Sequence, residues 1–271
     1  MKICFIGGGN MATALIGGLL GKDFAADDLR VVEIYAESRA KLQQQYGVVA
    51  VEGLADGIAG SDIIVLAVKP QQLREVAQQL APLLQGQLLL SIAAGIRAQD
   101  LARWSGSETV VRAMPNTPAL IQSGMTGLFA LPAVSALQRE HAQQILSAVG
   151  EVLWLTEEAQ LDAVTAISGS GPAYVFYLIE ALQNAALQLG LDDAAARQLS
   201  LATFLGASKL ASSSFDDVAI LRARVTSKNG TTERALLSLA ANHVDTLIAQ
   251  AAQAAADRSR EMGDELGNAS C

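Results

Sequence analysis

The sequence predicts an α/β fold, a doubly wound and mainly parallel sheet followed by an all-helical C-terminal domain. Three observations carry this. Short β-branched runs alternate with helical stretches from Lys2 to about Trp154, a glycine triplet follows the first of those runs, and strand signals stop after Glu157. A chain of 271 residues is long enough for two cores, since one core rarely grows beyond roughly 100 to 200 residues. The domains are expected over 1–157 and 158–271.

The strand candidates, in order, are 3–6, 29–35, 63–68, 88–92, 109–112 and 126–129. Between them, 11–21, 39–47, 71–84 and 98–104 have the lengths of crossover helices. Right-handed crossovers of this kind make the first five strands pair mainly in parallel. A helix over 136–149 and a short run over 151–156 close the domain. From 158 to about Met262 the chain is rich in Ala and Leu at helical spacing.

Ser168-Gly169-Ser170-Gly171-Pro172 reads as a turn ending in a proline suited to the first helical position. The helix it opens, from Pro172 to about Leu189, is apolar on nearly every side, with Tyr174, Val175, Phe176, Tyr177, Leu178, Ile179 and Leu182. Such a helix wants burial all round, which a domain of this size does not supply alone. A second subunit is therefore expected over it, making a homodimer through the helical domain. Residues 263–271 are expected to fray.

The chain is 51% hydrophobic and 17% charged with a formal net charge of -8, and no basic run builds the positive stripe that nucleic acid or an anionic membrane requires. Cys4 sits in an apolar run and Cys271 is the last residue, so no bridge is expected and the protein reads as reduced and cytoplasmic. Residues 2–20 have the outline of a signal peptide, but the glycine spacing inside them has a better explanation. No metal-ligand spacing is present.

That explanation is a dinucleotide. Ile3-Cys4-Phe5-Ile6 leads into Gly7-Gly8-Gly9-Asn10-Met11-Ala12, a G-x-G-x-x-A loop between a buried strand and an apolar helix. This is the Rossmann-like context in which glycine lets the backbone approach a pyrophosphate lying on free helix N–H groups. Ile6, Gly7, Gly8, Gly9, Asn10 and Met11 are the candidate cofactor residues here; a glycine-rich loop with no ligand is the alternative.

An NAD site places an acid about 20 residues on, at the end of the second strand. Glu37 is a candidate, but Ser38 and Arg39 offer a hydroxyl and a guanidinium to a 2′-phosphate, which favours NADPH with NADH as the second choice. Alternatively, Arg39 is a solvated residue in the first turn of a helix. Lys69, before Pro70, stands at the C-terminal edge of a parallel strand where ligands of such sheets bind, or is an exposed loop lysine. The small residues Ser91, Ala93, Ala94 and Gly95 permit a close approach of cofactor or substrate.

Arg112-Ala113-Met114-Pro115-Asn116-Thr117-Pro118 stiffens a loop with two prolines around Asn116 and Thr117. Further on, Ser227-Lys228-Asn229-Gly230-Thr231-Thr232 is a tight turn before a helix. Ser227, the N–H groups of Gly230 and Thr231, and the Thr232 hydroxyl can converge there on a small anion. Thr231 or Thr232 with Glu233 can equally be an ordinary helix cap.

Together, Gly7–Ala12, Ala67-Val68-Lys69-Pro70, Ser91–Gly95, Ala113–Pro118, Ser168–Tyr174 and Val225–Thr232 closely resemble pyrroline-5-carboxylate reductases, over residues 3 to about 265. The resemblance implies NADPH- or NADH-dependent reduction of the cyclic imine Δ1-pyrroline-5-carboxylate to L-proline, the last step of proline biosynthesis. It implies that Ser227, Gly230 and Thr231 hold the substrate carboxylate and that Thr232, the candidate catalytic residue, faces the ring nitrogen. It further implies that Ala67, Val68, Lys69, Pro70 and Asn116 line the nicotinamide half of the cofactor site.

Three departures from the family pattern stand out: Lys228-Asn229 in the family's Pro-Gly position, Ala223 where an acid is usual, and Asp216-Asp217-Val218 in place of an acidic-His-Pro segment. Two other functions compete. A β-hydroxyacid dehydrogenase shares the layout but carries a catalytic lysine on the helix after the interdomain segment, and 172–189 contains none. A non-catalytic NAD(P)-binding sensor, or a trafficking partner built on the same scaffold, has no use for the polar loop Ser227–Thr232.

Overall fold

The computed structural model describes residues 1–268, so Cys271 and the expectation attached to it lie outside the described residues. Strands β1 (Ile3–Ile6), β2 (Leu29–Val32), β3 (Val49–Val51), β4 (Ile63–Leu66), β5 (Leu88–Ser91), β6 (Val110–Met114), β7 (Gly124–Ala130) and β8 (Gly150–Trp154) form one sheet in the order β3-β2-β1-β4-β5-β6-β7-β8. Neighbours pair in parallel except β6 with β7. The chain runs outward from β1 to β3, then crosses back to β4 on the other side. The switch point between β1 and β4 opens the crevice in which ligands of doubly wound sheets bind.

The helices with this sheet are α1 (Asn10–Leu20), α2 (Ala36–Tyr46), α3 (Leu54–Ile58), α4 (Pro70–Leu80), α5 (Ala98–Ser105), α6 (Ala136–Ser147) and α7 (Gln160–Val164). A π-type turn over Thr165–Gly169 follows. The helical part comprises α8 (Gly171–Gln188), α9 (Asp193–Ser212), α10 (Val218–Arg224), α11 (Thr231–Ala241) and α12 (Val244–Asn268).

β1, β4 and β5 are buried at every residue because helices cover both sheet faces, which is why they read as continuous apolar runs. Side-chain alternation sorts them. Ile3, Phe5, Ile63, Val65, Leu88 and Leu90 pack with Leu15, Ile16 and Leu19 of α1, while Cys4, Ile6, Ile64, Leu66 and Leu89 pack with Leu73, Ala77 and Leu80 of α4. Burial pushes the free Cys4 thiol up to about 12, with the charge of Arg30 acting the other way. That thiol is a core side chain, unreactive at neutral pH.

Two elements carried no readable pattern. β3 is a three-residue edge strand between Gly47, which caps α2 at φ +69°, and Gly53, and α3 is a five-residue helix. Both are too short for periodicity to register. β2 ends at Val32, three residues before the expected end, so Glu33 and not Glu37 stands just past it.

The chain divides into two compact units, one built from Met1–Ser170 together with the chain from Ala254 onward, the other from Gly171–Gln253. The first unit thus extends beyond the division expected at 157. Leu161 is fully buried, and a Cβ on Gly127 of β7 would lie 2.9 Å from Val164, so α7 belongs with the sheet. Residues 263–268 of the segment expected to fray also belong there. Ser259 Oγ donates to Asp162 at 2.7 Å, Arg97 pairs with Asp264 at 2.6 Å, and Arg103 donates to the Gly267 carbonyl at 2.9 Å. The turn of 263–268 is helical because these partners satisfy it.

Within the second unit, α8 packs on α9 and leaves Phe176 66% and Tyr177 70% exposed on a single chain. That is the apolar face for which the sequence calls for a second subunit. Among the described residues no helix is long and apolar enough to cross a membrane, and no group of three or more His, Cys, Asp or Glu is placed to hold a metal.

Candidate functional site

Gly7 leaves β1 at φ +99°, and a Cβ there would lie 2.9 Å from the carbonyl oxygen of Ala67. Only glycine lets β1 and β4 end so close together. The junction is pinned by Gly7 N–H to Val32 O at 2.8 Å and Ala67 N–H to Ile6 O at 2.9 Å. Gly9 then opens α1 with no side-chain cap and no acidic residue in the first turn, and a Cβ at Gly9 would meet nothing within 4 Å. Open space over an uncapped helix N-terminus is what a pyrophosphate fits, so these residues suit a dinucleotide.

Beside this loop lies a cleft of about 610 Å³, within the roughly 300–1,000 Å³ of small-molecule sites. Ile6, Gly7, Gly8, Gly9, Ala67, Val68 and Lys69 all line it. Asn10 and Met11 are the first residues of α1, and Pro70 is the first residue of α4 directly after Lys69.

Five other expected cofactor residues are placed differently. Arg39 does not present its guanidinium to the cleft: Nη1 donates to the carbonyls of Glu33 at 2.7 Å and Ile34 at 2.9 Å, and Nη2 pairs with Glu52 at 3.0 Å. It ties the end of β2 to the loop after β3, the use its fixed fork of donors suits. Ser38, one residue earlier in the first turn of α2, is not among the cleft residues. Gly95 is buried, and a Cβ there would meet Met262 at 3.1 Å and Leu266 at 3.4 Å; its glycine makes room for α12, and Ala94 precedes it outside the cleft. Asn116 is a brace: its Nδ2 donates to Ser168 O at 3.1 Å and Oγ at 3.2 Å, and its Oδ1 accepts from Met125 N–H at 2.9 Å. Both amide hydrogens are occupied within the first unit.

The cleft also gathers residues that sequence reasoning missed, among them Glu33, Tyr35, Glu52, Gln72 and Glu75. Glu33 is the most telling. Its Oε2 accepts from Gly8 N–H at 3.0 Å and its Oε1 from Tyr35 N–H at 3.0 Å, which fixes the carboxylate against the glycine loop. The signal was present, since Glu33 lies about 20 residues past the loop, but a strand drawn to Tyr35 hid it.

In the second unit, Ser227, Gly230, Thr231 and Thr232 form one turn at the N-terminus of α11. Gly230 N–H donates to Ser227 O at 3.0 Å, a Cβ on Gly230 would lie near Ser227 Oγ, and no side chain caps the helix. Glu233 turns back to Asn229 N–H at 2.7 Å, stiffening the approach without covering Thr231 or Thr232. Asn229 adopts φ +60°, so it does take the glycine-like conformation. Asp216 pairs with Arg224, tying the α9–α10 connection to the C-terminal end of α10. His243 has φ +52° in the turn between α11 and α12, and His141 lies in α6.

A family model described as pyrroline-5-carboxylate reductase dimerisation matches residues 158–262, and one described as NADP oxidoreductase, coenzyme F420-dependent, matches 2–95. The chain is 50% identical to the pyrroline-5-carboxylate reductase of Pseudomonas aeruginosa, with 98% of each chain covered. It is 41% identical to that of Pasteurella multocida, covering 96% of this chain and 97% of the relative. A solved pyrroline-5-carboxylate reductase from Coxiella burnetii superimposes with a TM-score of 0.93 at 38% identity, covering 96% of this chain and 98% of that one. The Plasmodium falciparum enzyme, solved with NADP bound, gives 0.86 at 29%, covering 97% and 98%. Similar over its whole length to relatives of one kind, in sequence and in fold, the chain belongs to the pyrroline-5-carboxylate reductase family.

Proposed function

We propose that this chain reduces Δ1-pyrroline-5-carboxylate to L-proline with NAD(P)H, as a cytoplasmic homodimer. The observation that carries the reading is the Ser227–Thr232 turn, folded at an uncapped helix N-terminus in a chain whose other unit carries a glycine cradle for a dinucleotide. When bound, the cofactor supplies a hydride. Ser227 and the Thr231 N–H group hold the substrate carboxylate, where the positive end of α11 favours an anion, while Gly230 closes the turn through its N–H bond to Ser227 O. The Thr232 hydroxyl orients the ring nitrogen. With the imine bound in its protonated form, its carbon would gain the hydride and the C=N π pair would become the lone pair of the amine nitrogen, which already carries its proton.

A cyclic imine is close to its protonated form at neutral pH, so this chemistry needs positioning more than a strong base. α8 contains no lysine, the residue that a β-hydroxyacid dehydrogenase places there. The exposed apolar face of α8 and the dimerisation model over 158–262 support the homodimer. The buried, unpaired Cys4 is consistent with a reducing compartment.

The purified protein is expected to oxidise NAD(P)H when given the imine and, supplied with NAD(P)+, to leave 3-hydroxyacids unoxidised; silence with the imine overturns the assignment. Thr232→Ala should lower kcat/KM by roughly tenfold to a hundredfold, the worth of one hydrogen bond to a charged group, while the cofactor Kd holds. An unchanged rate removes Thr232 from the mechanism.

A further inference from the structure

We propose that Glu33 makes this chain select NADH over NADPH. The inference rests on the reductase reading only in taking a nicotinamide dinucleotide as the hydride donor. Two backbone donors, Gly8 N–H and Tyr35 N–H, hold the carboxylate at the mouth of the cleft, one on each oxygen. A carboxylate oxygen accepts more than one hydrogen bond, so Glu33 keeps acceptor capacity for a ribose diol. It has nothing to offer a 2′-phosphate, which brings about -1.5 to -2 charges of its own.

The surroundings reinforce this. Glu52 lines the same cleft beside Gly53 and Leu54, so two carboxylates flank the place a ribose takes next to the glycine loop. The nearby cation that a 2′-phosphate would call on is Arg39, and its guanidinium already serves two carbonyls and Glu52. Turning it outward would strip the carbonyls of Glu33 and Ile34 of their donor and leave Glu52 unpaired. Lys69, the basic residue lining the cleft, follows β4, across the glycine loop from β2. Like charges set side by side at a binding site oppose association strongly, so the phosphate is repelled where the diol is received.

The test is a direct titration of the full-length protein with NADH and NADPH, read by ligand fluorescence or heat, with imine reduction by each donor measured in parallel. Wild type is expected to bind NADH at least about tenfold more tightly than NADPH. Glu33→Gln keeps the size of the side chain and an oxygen to accept from Gly8 N–H, so it is expected to fold and to narrow that ratio severalfold, by losing NADH affinity and gaining NADPH affinity. Equal or tighter binding of NADPH by wild type overturns the proposal, as does a Glu33→Gln protein with the wild-type ratio. If the variant does not fold, competition on wild type decides: ADP-ribose should displace NADH better than its 2′-phosphorylated form, and the reverse order overturns the proposal. A protein that prefers NADH yet never reduces the imine supports this inference while sinking the reductase assignment.

Discussion

Gly7→Ala is expected to raise the Kd for NADH and NADPH alike by at least about tenfold and to lower Tm. The residue stands at φ +99°, a conformation that costs an L-residue about 1–2 kcal/mol. The added methyl would also lie 2.9 Å from Ala67 O and 3.2 Å from Val68 Cγ1. Relief requires the glycine loop to move off the end of β4, the edge against which the cofactor is cradled. Equilibrium titration together with thermal melts checks both parts. Gly9→Ala is the instructive control, because its methyl meets no protein atom within 4 Å; it should leave Tm nearly unchanged while still crowding the pyrophosphate. A Gly7→Ala protein with wild-type affinity for both donors would show that the close approach of β1 and β4 is not what shapes the site.

The second large effect is on stability. Glu158→Ala is expected to destabilise the first unit by about 3–5 kcal/mol, the usual cost of leaving a buried charge without its partner. Arg112 is 5% exposed in β6, and its Nη1 meets Glu158 Oε1 at 2.9 Å. The same oxygen accepts the Ala98 N–H at 2.7 Å, so one substitution orphans both a guanidinium and the N-terminus of α5. Urea unfolding followed by a probe in the sheet measures it. Glu158→Gln should recover part of the loss by keeping the acceptor, and a midpoint unchanged in Glu158→Ala would mean that water replaces the carboxylate.

The sheet was readable from the sequence wherever both faces of a strand are covered, since β1 and β4 are then apolar at every position and β5 at all but Ser91. β3 was not readable, because three residues at an edge leave too short a pattern. The same distinction runs through the site. Gly7 could be recognised because its positive φ and its close approach to Ala67 demand glycine there, and Gly9 because open space over a helix start suits a pyrophosphate. The role of Arg39 could not, because a guanidinium next to a cofactor loop has the same one-letter code whether it faces a phosphate or caps two carbonyls of its own chain. Asn116 and Gly95 read in the sequence as a polar and a small residue near the expected site, and the structure adds the contacts each makes within the first unit. Those contacts include Ser168 and Met262, far away in sequence, which no local pattern encodes.

The last turns of α12 bear on how the molecule comes into being. Because Met262, Asp264 and Gly267 complete the surface around Gly95, Arg97 and Arg103, the nucleotide-binding unit is discontinuous along the chain. During synthesis the ledge after β5 therefore stays uncovered until the last turns of α12 have emerged from the ribosome. Vectorial folding, in which an N-terminal domain finishes before its successor is made, would leave this unit's last contacts unmade, and a nascent chain stalled before Ala254 is expected to be cut by proteases at the segment over 95–103 faster than the full chain.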